Sequence, residues 1–266
     1  MLTITTIQTD LHWENKTANL RMLEDKIRNL EQRTEIVLLP EMFSTGFSMR
    51  PAGLAEPMDG ETVSWMRDMS SRYKIVLGGS LIIEEEDKFY NRFIWMLPNG
   101  QYGIYDKRHR FAFAGEDKFY TAGAKRTIAS VKGWKINLQV CYDLRFPVWA
   151  RQQKSTNEDG ETVPEYDVLI YVANWPERRS HAWKTLLCAR AIENQCYVVG
   201  VNRVGKDGND IYHSGNSMVI DPLGEVLYHM ADEEDIFTIT LQKEHLENVR
   251  SKFPFWRDGD EFKIDV

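Results

Sequence analysis

Strand-like and helix-like segments alternate along almost the whole chain, and this alternation restricts the possible folds more than any other feature of the sequence. An apolar strand pattern at residues 2–7 is followed by a helical leucine and isoleucine repeat at 17–30 and by a second apolar strand at 36–40. The second half repeats this plan around a helix predicted at 180–194. Sheets that carry helices on one face must bury the other face, so the sequence predicts an α/β fold in which two such halves face each other.

The remaining patterns fit the same plan. A helix is predicted near 61–72, and an Asn99-Gly100 turn predicts an antiparallel hairpin between strands at 89–97 and 101–105. Further strands are predicted at 75–83, 127–131, 135–140, 167–172 and 196–201, with a last hairpin turning at 221–224. The polar stretch 154–165 is interpreted as a surface loop and not as a linker, so residues 1–266 are expected to form a single domain.

A cysteine stands where a predicted strand turns toward a helix. Cys141 follows the apolar run 135–140, and Asp143 and Pro147 mark the start of a helix predicted after Phe146. At a helix N-terminus, free backbone N–H groups and the helix dipole lower the pKa of a thiol and stabilise an oxyanion. We therefore expect a presented, nucleophilic Cys141 with a lowered pKa. The alternative is a small, buried apolar residue at the end of a strand.

Two other charged residues also follow predicted strands. Glu41 comes directly after the apolar run 36–40, at the sheet edge where open α/β folds place their chemistry. Lys107 follows the strand predicted at 101–105, among aromatic and charged neighbours. Taken singly, Glu41 is also explained as a helix cap, and Lys107 as one solvated member of a basic cluster.

The three segments together resemble the nitrilase (carbon–nitrogen hydrolase) superfamily, in which Glu, Lys and Cys occur in this order. Pro40-Glu41-Met42-Phe43, Tyr105-Asp106-Lys107-Arg108-His109 and Val140-Cys141-Tyr142-Asp143-Leu144-Arg145-Phe146-Pro147 carry the resemblance, which extends from Thr3 to Phe255. It implies a four-layer α-β-β-α sandwich. It also implies a second glutamate, Glu116, that positions the lysine and the substrate; the alternative for Glu116 is a surface loop acid beside Asp117 and Lys118.

The resemblance also implies a chemistry. Glu41 takes the proton of Cys141, Lys107 and the backbone N–H of Tyr142 hold the oxyanion, and a thioester forms that water then hydrolyses. No metal and no organic cofactor is expected. Glu116, close to Glu41, favours a proton shared between the two carboxylates.

Three further segments, Ala173-Asn174-Trp175-Pro176, 183–194 and Gly200-Val201-Asn202-Arg203-Val204-Gly205, resemble most the bacterial omega-amidase branch of the superfamily. The implied substrates are small α-keto acid ω-amides, such as 2-oxoglutaramate and 2-oxosuccinamate, whose distal carboxylate requires a cation. Arg179, or its neighbour Arg178, is the predicted carboxylate ligand, whereas Arg145 is expected to brace the cysteine loop. A wall of the small pocket is predicted from three aromatic residues: Trp175, Phe47 and Phe111. Two alternatives remain, namely an N-carbamoyl amino acid hydrolase and a non-catalytic binding protein on the same fold.

Composition limits the partners and the compartment. A formal charge of −7 and a pI near 5.5 argue against nucleic acid as a partner, and three cysteines without a pairing pattern indicate a reducing environment. No leader or membrane-spanning segment is recognised, so a cytoplasmic protein is expected. The resemblance implies a homodimer. The tail at 250–266, with Phe253-Pro254-Phe255-Trp256, either contacts the second subunit or folds back on its own chain.

Overall fold

The computed structural model describes residues 1–265. Its strands are β1 (Leu2–Gln8), β2 (Ile36–Leu38), β3 (Val76–Glu85), β4 (Lys88–Met96), β5 (Tyr102–Asp106), β6 (Ile128–Val131), β7 (Trp134–Val140), β8 (Lys154–Thr156), β9 (Thr162–Pro164), β10 (Val168–Val172), β11 (Tyr197–Val201), β12 (Val204–Lys206), β13 (Tyr212–Ile220), β14 (Val226–Ala231) and β15 (Asp235–Leu241). Its helices are α1 (Lys16–Arg28), α2 (Pro51–Leu54), α3 (Glu61–Tyr73), α4 (Glu116–Phe119), α5 (Pro147–Ala150), α6 (Ser180–Asn194) and α7 (Lys243–Lys252). No helix among these residues has both the length and the apolar composition needed to cross a membrane.

Two mixed sheets form the centre of the molecule. The first has the strand order β15-β1-β2-β3-β4-β5, with β1, β2 and β3 parallel. The second has the order β12-β13-β11-β10-β7-β6, with β14 beside β13 and with β7, β10 and β11 parallel. The carboxyl ends of the parallel strands in each sheet lead into the loops that carry Glu41, Cys141 and Asn174.

The layers are α-β-β-α, as predicted. Alternate residues of the two sheets share one apolar core between them, for example Ile4 and Leu38 of the first sheet with Leu138 and Ile170 of the second. Helices α1 and α3 bury their apolar stripes on the outer face of the first sheet, and α6 packs on β11 and β13 of the second. Burial of apolar side chains on both faces explains why the central strands are continuous apolar runs.

Most predicted elements lie within one or two residues of the observed ones, two differ, and one strand pairing was not predicted. The stretch interpreted as a loop, 154–165, contains the short hairpin of β8 and β9. The helix expected after Phe146 is only the four-residue α5, preceded by a 3₁₀ turn over Cys141–Arg145. Strand β15 returns to pair with β1, a contact between the two ends of the chain that local patterns do not encode.

The C-terminal tail folds back on its own chain over the part that the structure describes. The side chain of Gln195 donates to the Phe253 carbonyl at 2.6 Å and accepts from the Trp256 N–H at 3.0 Å. Phe255 is exposed. The intrachain alternative therefore accounts for the first part of the tail, and Val266 lies outside the described residues.

Candidate active site

Glu41 lies in a sharp turn beyond β2 and is fully buried. The next residue, Met42, has a left-handed backbone with φ of 44°, and its N–H donates to the Ser80 hydroxyl at 2.9 Å. Phe43 lies against Gly79 of β3, where an added Cβ would stand 2.7 Å from the phenyl ring. The close approach of this loop to β3 fixes the direction of the Glu41 carboxylate.

Lys107 is the cation that joins two buried carboxylates. Its Nζ lies 2.8 Å from Glu41 Oε1 and 3.0 and 2.9 Å from the two carboxylate oxygens of Glu116. Only 1% of the lysine side chain is exposed. Burial opposes its charge, but the neighbouring Glu116 and Glu41 raise the pKa of Lys107 above its usual value, so the ammonium form persists at neutral pH.

Glu116 is no surface acid, because it is fully buried at the start of α4. Its carboxylate also accepts a hydrogen bond from the Phe111 N–H. Burial raises the pKa of Glu116, Lys107 lowers it, and the like charge of Glu41 raises it again. The net increase is the behaviour expected when two close carboxylates compete for one proton.

Two asparagines complete the surroundings of the glutamates. The side-chain amide of Asn91 donates to Glu41 Oε1 at 2.8 Å and to Glu116 Oε1 at 3.2 Å. The backbone N–H of Asn174 donates to Glu41 Oε2 at 2.8 Å, and its side-chain amide donates to the Glu41 carbonyl. Residues from both sheets therefore hold the Glu41 carboxylate in place.

Cys141 opens the 3₁₀ turn after β7 with a left-handed φ of 46°. Two expectations for this residue were wrong, since its side chain is buried, with 8% of the residue exposed, and the pKa of its thiol is raised. Burial is the largest cause and the Glu41 carboxylate the second, while Lys107 acts in the opposite direction. One 3₁₀ turn has too small a dipole to outweigh this desolvation. The thiol therefore requires a base to lose its proton.

Asp143 ties the cysteine loop to the lysine loop. Its buried carboxylate accepts from the Val140 N–H at 3.1 Å, from the Tyr105 hydroxyl at 2.7 Å and from the His109 N–H at 2.9 Å. The His109 ring stacks on Phe146 with 3.7 Å between the ring centroids. These contacts fix the position of Cys141 relative to Lys107.

A cavity of about 620 Å³ opens above Cys141. All three predicted aromatic residues, Phe47, Phe111 and Trp175, line it, as does Tyr142. Lys107 Nζ lies 5.1 Å from the centre of the Phe47 ring, so the aromatic wall reaches the charged cluster. Among residues 1–265, no group of three or more His, Cys, Asp and Glu side chains is arranged to hold a metal ion.

Four arginines line the same cavity, and Arg50 is paired with Glu14, which leaves Arg179, Arg178 and Arg145. Arg179 is half-buried and stacks over Phe111 at 4.9 Å, whereas Arg178 is exposed. Arg145 was expected to brace the cysteine loop, but its guanidinium lies over the Trp175 ring at 5.0 Å and lines the cavity. Burial, followed by the like charges of Arg178 and Arg145, lowers the pKa of Arg179 from its usual value. Within the described residues none of the three forms an ion pair, so this wall is suited to an anion.

Comparison with known proteins places the chain in a family. Residues 3–251 match the carbon–nitrogen hydrolase family. The chain belongs to the carbon–nitrogen hydrolase family. It is 42% identical to omega-amidase YafV of Yersinia enterocolitica over 264 residues, covering 99% of this chain and 98% of the relative. It is 29% identical to 2-oxoglutaramate amidase of Bacillus subtilis, with 96% of each chain covered.

A solved structure agrees with this assignment. XC1258 from Xanthomonas campestris, a CN-hydrolase superfamily protein with an arsenic adduct in its active site, superposes with a TM-score of 0.95. The two chains are 40% identical, and 99% of each is covered. The family resemblance and the nitrilase-type fold predicted from the sequence are confirmed, and the chain is a hydrolase that acts on amides.

Sequence reasoning missed several residues of this hydrolase site. Asn91 lies in β4, and only the register that pairs its neighbour Arg92 with Asp106 of β5 brings Asn91 opposite Lys107, whose backbone N–H donates to the Asn91 carbonyl at 3.0 Å. Asn174 follows the carboxyl end of the parallel strand β10, as Glu41 follows that of β2, so its position in the sequence could have identified it. Asp143 stands in the cysteine motif, but its partners Tyr105 and His109 come from another sheet.

Proposed function

We propose that this protein is an omega-amidase, which hydrolyses the terminal amide of small α-keto acid ω-amides such as 2-oxoglutaramate and 2-oxosuccinamate. The observation that carries the proposal is a single cavity with a buried thiol at one point and three unpaired guanidinium groups on its wall. A thiol suits the amide end of the substrate and the cations suit its carboxylate end. The names of the relatives at 42% and 29% identity agree with it.

In the proposed first half-reaction, Glu41 takes the proton of the Cys141 thiol, and the sulfur attacks the carbonyl carbon of the amide. The raised pKa of Cys141 makes this base necessary. The carbonyl electron pair moves onto oxygen, where the positive charge of Lys107 and the Tyr142 N–H stabilise it. The carbon–nitrogen bond then breaks, Glu41 returns its proton to nitrogen, and ammonia and a thioester remain.

In the proposed second half-reaction, Glu41 takes a proton from water as the water oxygen attacks the thioester carbonyl. The same two donors stabilise the second oxyanion. The carbon–sulfur bond breaks, and the departing thiolate of Cys141 takes the proton back from Glu41. The product is the dicarboxylate. Glu116 contributes by holding Lys107 between the two carboxylates at distances of 3.0 Å or less.

Arg179 and Arg145 are the proposed ligands of the distal carboxylate. Each guanidinium is held on an aromatic face, Arg179 on Phe111 and Arg145 on Trp175, so little side-chain freedom is lost on binding. Arg178 is exposed, and water screens its charge. We expect Arg178 to contribute much less than the other two.

The first experiment measures which amides the protein hydrolyses. Ammonia release is followed with 2-oxoglutaramate, 2-oxosuccinamate, a neutral amide of similar size and an N-carbamoyl amino acid. We expect the two keto acid amides to give the highest kcat/KM. Release of carbon dioxide together with ammonia from the carbamoyl compound, at a higher kcat/KM, would identify the alternative hydrolase.

The covalent step is tested by intact-mass analysis during turnover. The wild type should carry an acyl adduct on Cys141, and Cys141→Ala should lack both the adduct and the activity while keeping the wild-type circular dichroism spectrum. Cys188→Ala is the matched control, because Cys188 is a free thiol of α6 outside the cavity lining. An adduct on Cys188 or Cys196 would refute the thioester mechanism.

The carboxylate site is tested with single arginine variants. Arg179→Ala and Arg145→Ala should each raise KM for 2-oxoglutaramate by at least about tenfold, with little effect on a neutral amide. The exposed Arg178 provides the control, since Arg178→Ala should change KM by less than about fivefold. Equal losses with charged and neutral amides would show that the arginines do not recognise the carboxylate.

A further inference from the structure

The side-chain amide of Asn91 lies between the two buried carboxylates. Its Nδ2 donates to Glu41 Oε1 and Glu116 Oε1 at 2.8 and 3.2 Å, while its Oδ1 has no partner among the described residues. Only 1% of Asn91 is exposed. Turning the amide over would place Oδ1 against two acceptor oxygens, so the carboxylates fix its orientation. The buried amide therefore makes its side-chain hydrogen bonds to these two acids and to no other described group.

The cluster around Asn91 is short of positive charge. Glu41 and Glu116 face one ammonium, that of Lys107, and all three side chains are at most 1% exposed. The other titratable groups that face the pair are the Cys141 thiol and the Tyr120 hydroxyl. With both carboxylates ionised the cluster has a net charge of −1 in a water-poor site, which favours uptake of one proton by the pair.

A proton on the pair would impair the base. Glu41 can accept the Cys141 proton only as a carboxylate, and it shares the donors Asn91 and Lys107 with Glu116. An amide N–H in this position only donates, so it stabilises the ionised form of each acid. It also adds no charge that would compete with Lys107.

We propose that Asn91 is a positioning residue that keeps Glu41 in its carboxylate form by donating one amide to both glutamates. The inference rests on the proposed role of Glu41 as the base. Burial and the like charge of Glu41 raise the pKa of Glu116, which is consistent with a pair that tends to take up a proton. Lys107 also donates to both acids, but it is charged. Asn174 is a neutral donor, but its N–H donates to Glu41 and not to Glu116.

The experiment follows the pH dependence of Cys141 alkylation by iodoacetamide, located by peptide mass mapping, and of kcat/KM for ammonia release. Asn91→Leu preserves the side-chain shape without a donor, and Asn91→Ala serves as the second variant if the leucine variant does not fold. We expect the acid limb of both profiles to move up by about one pH unit. The rate should be reduced along the acid limb and should approach the wild-type rate at high pH.

Asn137→Ala is the matched control, because Asn137 is a buried asparagine of β7 that hydrogen-bonds to Gln139 and to neither glutamate. Its acid limb should stay in the wild-type position. A uniform loss of rate in the Asn91 variant at every pH would overturn the proposal, since that is the effect of a merely structural contact. An unchanged profile, or a wild type without an acid limb, would overturn it as well.

Alkylation needs no substrate, so the two proposals fail separately. A wild type that hydrolyses no ω-amide, together with a shifted alkylation limb in Asn91→Leu, would remove the proposed substrate and leave the role of Asn91 intact. Turnover of ω-amides by the wild type, together with an unshifted alkylation limb in Asn91→Leu, would support the proposed substrate and remove the proposed role of Asn91.

Discussion

At the scale of single residues, the site depends on one buried ammonium group that stabilises two buried carboxylates. Glu41 and Glu116 are fully buried, and an isolated ionised carboxylate in such a place would be strongly unfavourable. Lys107 contacts both, and without it the two acids would repel each other. The stability of the protein and the chemistry of the site are therefore coupled through one ammonium group.

This coupling predicts the behaviour of Lys107→Met. The variant should lose about 3–5 kcal/mol of unfolding free energy, because two buried carboxylates lose their cation. It should also lose at least about 100-fold in kcat, the range expected for oxyanion stabilisation. Urea unfolding and steady-state kinetics measure the two effects.

The matched control removes one acid as well. Lys107→Met combined with Glu116→Gln leaves a single carboxylate, which still accepts from Asn91 and Asn174. Its unfolding free energy should lie between those of the single Lys107→Met variant and the wild type, with kcat still low. Equal stability of the single and double variants would show that repulsion between the glutamates does not matter.

The sequence predicted which residues form the site where a family motif contained them. Glu41, Lys107 and Glu116 were predicted together from three segments of sequence. The cavity position of Arg145 was not, because a motif does not say whether an arginine faces its own loop or the pocket. The burial of Cys141 was also missed, since burial depends on how two sheets pack and not on the residues beside the cysteine.

At the scale of elements, the loop after β2 is held in place by its close approach to β3. Gly79 lies under Phe43, and an ideal Cβ at this glycine would be 2.7 Å from the Phe43 ring and 3.0 Å from the Leu39 side chain. The same loop carries Glu41. We predict that Gly79→Ala displaces the loop, lowers kcat several-fold or more and costs about 1–3 kcal/mol of stability.

Gly53 in α2 supplies the control, because a Cβ there meets nothing within 4 Å. Gly53→Ala should leave kcat unchanged and should be neutral or stabilising by about 0.4–1 kcal/mol. Kinetics and urea unfolding of both variants make the comparison. If both alanines left kcat unchanged, the close approach of Gly79 would have no part in directing Glu41.

Local patterns predicted elements well where one face is clearly apolar. The helix expected at 180–194 matches α6, Ser180–Asn194, because its apolar spacing and its flanking strands agree. The helix after Phe146 was predicted less well, since Pro147 permits a helix start but does not determine its length. The short hairpin of β8 and β9 was missed because polar, exposed strands lack the apolar alternation that marks a buried one.

At the scale of the whole molecule, the order of strands was beyond the sequence patterns. The pairing of β1 with β15 joins Leu2 to Leu241, and no local signal specifies a contact over such a separation. The charge distribution is also a property of the whole fold. The net charge is −7, yet four arginines line one cavity, and three of them have no ion pair among the described residues. A small anion is therefore attracted locally by a molecule that repels it at long range.

The outer surface near α5 and α6 carries apolar side chains that suggest a second copy of this chain as partner. Val148 of α5, Ile192 of α6 and Leu223 are 57%, 55% and 48% exposed. The turn after Leu223 lies beside Ile192, since a Cβ on Gly224 would be 2.6 Å from Ile192 Cγ1. Adjacent exposed apolar groups of this kind are typical of protein interfaces.

The family resemblance implied a homodimer, and we propose that it pairs this face with itself. In a two-fold interface each substitution appears twice, so Ile192→Glu should introduce two buried like charges and halve the mass measured by light scattering at micromolar concentration. Tyr102→Glu is the matched control: Tyr102 is 44% exposed on β5, at the edge of the other sheet, and its variant should stay dimeric. A monomeric wild type would exclude the dimer. A dimer that survives Ile192→Glu but not Tyr102→Glu would place the interface at the edge of the first sheet.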